Sequence, residues 1–256
     1  MGTLEKSGMA ITPGSPADRT NFYQHEAETG SYLSPAYNQD VMKELLSALP
    51  RESPRRVCDL GSGVGSNLPT LTAMFPRARI FSLDLSQTAL IEGFRTTASV
   101  MPAQADATAI PLTNECIDLL VCTEVLEHVG DLGRAFSEIA RVVRRGGYAA
   151  ISSPNYLNPM GLRKWFNDRR RGESFWDPWG GHPGFERLML PATVARAMRP
   201  FFDAERVLGA GYVMGWIPLG YRRIGPWSDG HPFRAVGRIP VLRNFVINRY
   251  LLLRRK

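Results

Sequence analysis

The chain of 256 residues is long enough for one full domain with a substantial core, and its 44% hydrophobic and 21% charged residues are ordinary for a globular protein. The formal net charge of +7 is unevenly spread: from Phe233 onward come Arg234, Arg238, Arg243, Arg249, Arg254, Arg255 and Lys256 with no acid, while the remainder holds 24 basic and 24 acidic residues. That balance argues against a uniformly basic surface and puts any attraction to an anionic partner mainly at the C-terminus.

Cys58, Cys116 and Cys122 fall in or beside apolar runs without metal-type spacing, and read as core thiols in a reducing compartment. No basic-then-apolar signal follows Met1, and no apolar run approaches the ~20 residues that span a bilayer. A cytoplasmic protein is expected.

In chain order, residues 1–16 form a small, polar lead-in, and Phe22–Tyr32 brings aromatics toward the core. Pro35–Leu49 reads as a helix with Val41, Leu45 and Leu49 on one stripe, closed by Pro50 and Pro54. Val57–Leu60 is a short apolar strand that breaks into Gly61-Ser62-Gly63-Val64-Gly65-Ser66-Asn67, after which Leu68–Phe75 is helical with Pro69 in its first turn. Strand, glycine turn and helix start form the geometry of a nucleotide crevice in an open parallel sheet. The dinucleotide pattern G-x-G-x-x-G would need glycine at Ser66, so a nicotinamide oxidoreductase is disfavoured.

Ala78–Leu83 is the next strand and ends at Asp84, 19 residues after Gly65, where doubly wound folds place a carboxylate against ribose hydroxyls. Ser86 is set to cap a helix through Phe94. A short strand then leads to Gln104-Ala105-Asp106-Ala107-Thr108-Ala109-Ile110-Pro111-Leu112. The fourth strand, Ile117–Cys122, runs into Thr123-Glu124-Val125-Leu126-Glu127-His128-Val129. Leu132–Arg144 is helical with Gly146-Gly147 as its C-terminal cap, and Tyr148–Ser153 is the fifth strand. Leu190–Met198 is a further helix, Phe202–Gly209 a sixth strand, and Val213–Leu219 an antiparallel seventh. This alternation predicts an α/β, doubly wound, mostly parallel seven-stranded sheet with an insertion after strand five.

From Arg55 to Asn155 the chain resembles class I S-adenosylmethionine-dependent methyltransferases. The resemblance rests on D-x-G-x-G-x-G beginning at Asp59, on D-A-x-x-I-P-L beginning at Asp106, and on the run E-V-L-E-H-V followed by A-x-x-E-I-A-R-V-V-R-x-G-G. The last is similar to the ubiquinone-pathway O-methyltransferases and related small-molecule enzymes. It implies S-adenosylmethionine held by Asp59, Gly61, Ser62, Gly63, Gly65, Asn67 and Thr123 around the glycine loop, by Asp84 and Leu85 at the ribose, and by Asp106 and Ala107 at the adenine. An N-terminal lid containing Tyr23, with Tyr32 as another candidate, is a further implication. The expected reaction is methyl transfer to a small-molecule acceptor, with a hydroxyl first and nitrogen or carbon open. A non-catalytic cofactor-binding or membrane-surface protein is the rival from another class.

Glu124, Glu127 and His128 are spaced to converge on a helical turn. The E-x-x-E-H run resembles that of the small-RNA 2′-O-methyltransferases, where a later histidine completes a magnesium site; here it would be His182. Three readings are open: a metal held by Glu124, Glu127, His128 and His182, a metal-free histidine base, and a structural role in which Glu124 lies near the cofactor while Glu127 and His128 shape the helix start.

The insertion at 156–190 carries Trp165, Phe166, Arg169, Arg170, Arg171, Phe175, Trp176 and Trp179, and is a candidate substrate lid or helical cover. Ser153-Pro154-Asn155-Tyr156 only superficially resembles the N-P-P-Y motif of amino-directed DNA methyltransferases, and no nucleic acid partner is expected. The chain divides into 1–50 (N-terminal segment and helix), 51–220 (core with insertion) and 221–256 (basic-apolar tail). That tail is open to peripheral membrane contact, to docking on the core, or to a second subunit in an oligomer.

Overall fold

The computed structural model describes residues 36–50, 54–96, 100–171, 187–211 and 235–256. Tyr23, Tyr32, His182 and the expected strand Val213–Leu219 lie outside the described residues. Seven strands make one sheet: β1 (Arg56–Leu60), β2 (Arg79–Asp84), β3 (Val100–Gln104), β4 (Ile117–Thr123), β5 (Val143–Pro154), β6 (Phe202–Ala210) and β7 (Asn248–Arg255). Their order is β3-β2-β1-β4-β5-β7-β6, with β7 antiparallel to both β5 and β6 and the other pairings parallel.

The helices are α1 (Ala36–Leu46), α2 (Leu68–Met74), α3 (Gln87–Thr96), α4 (Leu132–Val142), α5 (Pro159–Arg171) and α6 (Pro191–Met198). Alternation along β1 explains the layering, since successive side chains of a strand point to opposite faces. Val57 packs with Val41, Met42 and Leu45 of α1 and Leu68 and Leu71 of α2. Cys58 packs on the other side with Phe136 and Ile139 of α4 and Val194 and Met198 of α6. All three cysteines are free, and burial pushes the Cys58 and Cys122 thiols up.

Two sequence expectations need correction. The helix before strand five ends at Val142, with extended Val143 as its cap, so Gly146-Gly147 lies inside β5. There the register jumps from Ile117–Val143 to Leu119–Tyr148, and the glycines absorb the extra residues. Gly146 has φ +72°, and a Cβ on Gly147 would sit 2.9 Å from the carbonyl oxygens of Arg144 and Asp118.

The second correction concerns the tail. Its last strand runs between β5 and β6, so the described part of the tail, residues 235–256, belongs to the core. Val246, Ile247, Tyr250, Leu251, Leu252 and Leu253 are buried and cannot reach a membrane. Most of its cations have internal partners: Arg238 pairs with Glu44, Arg243 donates to the Val207 carbonyl, Arg249 to that of Pro191, and Arg255 to those of Ala140 and Phe201. Lys256 reaches the Arg199 carbonyl and Asp203.

Candidate functional site

Strand order reverses between β1 and β4, and open α/β sheets bind ligands outside the carboxyl ends of their strands at such a switch point. The glycine bend leaves β1 at that point. Gly61, Gly63 and Gly65 have φ of +70°, +53° and +82°. These are left-handed values that only glycine adopts cheaply. At Gly61 space is also decisive, because a Cβ would lie 2.2 Å from Cγ2 of Val125. The bend is held from β2, where the Leu83 carbonyl accepts from the N–H groups of Gly61 (2.7 Å) and Ser62 (3.0 Å). The Ser62 and Ser82 hydroxyls bond at 2.7 Å. Gly93 of α3 completes the packing, since its Cβ would lie 3.0 Å from the Val64 carbonyl carbon.

Three acids surround this bend. Asp59 is fully buried, and burial first of all raises its carboxyl to about 7, against the opposing hydrogen bond from Asn67. Asn67 Nδ2 donates to Asp59 Oδ1 at 3.1 Å and to Thr123 Oγ1 at 2.9 Å. The second oxygen, Asp59 Oδ2, is buried with no hydrogen-bond partner among the described residues. Asp84 accepts from the Gly63 N–H at 2.7 Å and the Ser86 N–H at 2.8 Å, and its pKa is raised, chiefly by burial. Asp106 takes the Thr108 N–H and hydroxyl at 2.8 and 2.7 Å.

A single cavity brings the two ends of this arrangement together. Of the expected residues it is lined by Gly61, Asp84, Leu85, Asp106, Ala107, Glu124 and His128. Asp59, Ser62, Gly63, Gly65, Asn67 and Thr123 do not line it; buried Asp59, Ser62 and Asn67 underlie the bend.

The Glu124, Glu127 and His128 side chains do not converge on one point. Glu124 sits at φ +53°, a strained value for a residue with a side chain. Its Oε1 accepts from the Ser152 hydroxyl at 2.6 Å and its Oε2 from Asn248 Nδ2 at 2.5 Å. Burial raises its pKa, and the two donors oppose the rise. Leu126–His128 forms a single 3₁₀ turn in which Glu127 is buried, its Oε1 3.7 Å from His128 Nε2.

Among the described residues no group of three or more His, Cys, Asp or Glu is arranged to hold a metal ion. The expected divalent ion is therefore not supported. Glu124 accepts from neutral donors of β5 and β7 with both of its oxygens.

Sequence reasoning missed the residues that fix the Asp106 loop. Arg141 donates to the carbonyls of Ile110 (2.8 Å) and Leu112 (2.7 Å), to Asn114 Oδ1 (2.9 Å) and to both oxygens of Glu138 (2.8 Å each). Glu138 in turn accepts from the Ile110 N–H at 2.9 Å. Their i, i+3 spacing in α4 was the available signal. Ser152 and Asn248 were missed too, because their partner lies far away in sequence.

A doubly wound sheet whose first strand ends in a glycine bend ringed by acids is the architecture of the nucleotide-type cofactor binders. The comparisons narrow the class. Residues 58–151 match the family described as "Methyltransferase domain". The malonyl-[acyl-carrier protein] O-methyltransferase of Geobacter sulfurreducens is 31% identical over 188 residues, 70% of this chain and 68% of that protein. The trans-aconitate 2-methyltransferase of Methylobacterium nodulans is 33% identical over 114 residues, covering 44% of each chain. The match spans 34% and 45% of the length of two further curated relatives. Among solved structures, an S-adenosylmethionine-dependent methyltransferase from Mesorhizobium loti shares the fold at a TM-score of 0.58 and 18% identity, over 86% of this chain and 98% of that one. The chain belongs to the class I S-adenosylmethionine-dependent methyltransferases.

Proposed function

We propose that the protein binds S-adenosylmethionine at the glycine bend and methylates an oxygen of a small-molecule acceptor. The observation that carries this reading is the orphaned Asp59 Oδ2 beneath the bend. A buried acceptor without a partner costs about 1–3 kcal/mol. A cofactor carrying an ammonium group supplies the missing donor, and the bend, bare of side chains at the cavity-lining Gly61, lets a ligand lie against its backbone. Asp59 and the bend then hold the amino-acid end, Asp84 and Leu85 the ribose, and Asp106 and Ala107 the adenine. The bound cofactor supplies a methyl group on a positively charged sulfur.

The chain's own part is orientation and proton removal. His128 lines the cavity, with the buried Glu127 behind it, Oε1 3.7 Å from Nε2. His128 takes the proton of an acceptor hydroxyl as the oxygen is methylated. Glu124, held by Ser152 and Asn248, shapes the wall. Removal of His128 as a base should slow turnover about 10²- to 10⁴-fold with cofactor affinity unchanged. Transfer of labelled methyl by wild type and His128→Ala, measured beside calorimetry with S-adenosylmethionine, checks both halves. No turnover with any acceptor, or turnover indifferent to His128→Ala, counts against the hydroxyl reading.

A second reading places the acceptor oxygen on a carboxylate. It is favoured by the two relatives named for malonyl and trans-aconitate acceptors, both carboxylic acids. A carboxylate is ionised at neutral pH and needs no base. Under that reading His128→Ala keeps most of its turnover number.

A further inference from the structure

Helix α5 is seated on the protein by its less apolar side. Met160, Gly161 and Lys164 are buried, with Lys164 Nζ 5.9 Å from the centre of the Tyr156 ring. A Cβ on Gly161 would lie 1.8 Å from the Tyr156 carbonyl oxygen, so the contact is tight. The outward face carries Leu162, Trp165 and Phe166, which are 65%, 46% and 52% exposed, and Leu157 just before the helix is 44% exposed. Spacings of three and four place 162, 165, 166 and 169 on one stripe.

Cations frame that stripe. The Arg169 guanidinium stands 5.5 Å from the Trp165 ring centre and that of Arg170 5.6 Å from the Phe166 ring. Arg163 is exposed as well. Apolar and aromatic side chains in the middle with arginines at the edge are the composition of a helix that lies in a membrane interface, rings at headgroup depth and guanidinium groups on lipid phosphates. Among the described residues the patch holds four exposed apolar side chains, short of the roughly 800 Å² per partner of a specific protein interface.

We propose that the outward face of α5 docks the protein on an anionic lipid bilayer. The helix leaves the sheet just past the carboxyl end of β5, the end at which the Glu124–His128 wall of the cavity stands. Docking there sets the cavity toward the lipid surface. This inference does not depend on the transfer reaction.

Co-sedimentation tests it, using the full chain with phosphatidylcholine vesicles and with phosphatidylcholine–phosphatidylglycerol vesicles at low and high salt. The protein is expected to pellet with the anionic vesicles, less so at high salt. The double variant Trp165→Glu, Phe166→Glu should lose about tenfold or more of that partition with an unchanged melting temperature, and Arg169→Glu, Arg170→Glu should lose a comparable amount. Both pairs are exposed, so folding is not at stake. Wild type that stays in the supernatant, or a double variant that pellets as well as wild type, overturns the proposal. So does a wild-type dimer in sedimentation velocity that the double variant abolishes without any vesicle binding.

Discussion

The carboxyl ends of β1 and β4 carry two differently built walls of one cavity. On the β1 side, conformation does the work: three left-handed glycines and a Leu83 carbonyl fix a bend whose acids are either satisfied by backbone N–H groups, as Asp84 is, or left with an unpaired oxygen, as Asp59 is. On the β4 side, side chains do it: Glu124 is tied to Ser152 and Asn248, and Glu127 stands behind His128. The first wall is local in sequence and suited to one constant ligand. The second is assembled from β4, β5 and the far end of the chain, and is free to differ with the acceptor.

Breaking the first wall should have the largest effect. Gly61→Ala places a side chain at φ +70° and within 2.2 Å of Val125, so cofactor-dependent thermal stabilisation should vanish. The apo protein should lose roughly 1–2 kcal/mol from backbone strain alone. A variant that still shows the wild-type shift in melting temperature with cofactor would remove the bend from the binding site.

Asp59→Asn sharpens the same wall. Because burial raises the Asp59 pKa from its ordinary 3.8 to about 7, folding favours the protonated form. Its contribution to apo stability is full below 3.8 and is lost as pH rises toward about 7. Asparagine should flatten this slope in denaturant midpoints, while weakening cofactor binding by roughly 1.5–3 kcal/mol through loss of a charged acceptor.

Arg141→Ala should cost about 2 kcal/mol by releasing the Asp106 loop and leaving Glu138 without its cation. The Arg141 guanidinium holds the Glu138 carboxyl below its ordinary 4.5. That stability is present above 4.5 and is lost as pH falls through the lower folded value, so the variant should show less acid sensitivity there. Urea melts of both proteins from neutral to acid pH measure it. Asn248→Ala, in the second wall, should have the smallest effect: about 1 kcal/mol of stability and a change confined to acceptor kinetics, with cofactor affinity preserved.

The sequence made the first wall legible and hid the second for physical reasons. Apolar runs punctuated by Gly61, Gly63 and Gly65 and ended by Asp84 mark β1, β2 and their acids within a short window. Glu124, in contrast, has partners 28 and 124 residues away, which no local pattern reports. Gly146-Gly147 read as a helix cap because the cap and the bulge ask the same freedom of glycine. The sequence left the tail open between surface and core because β7 is flanked by strands on both sides and covered on both faces, so Tyr250-Leu251-Leu252-Leu253 shows no alternation, and its arginines serve internal carbonyls.

Calorimetry with S-adenosylmethionine at a pH just below 7, repeated in two buffers of different ionisation enthalpy, bears most directly on the orphaned carboxylate. Pairing of the ligand's ammonium with Asp59 should give one ligand per chain and release of a proton in wild type, with no proton release in Asp59→Asn. Absence of binding heat in wild type, or binding whose heat is the same in both buffers, would contradict the account.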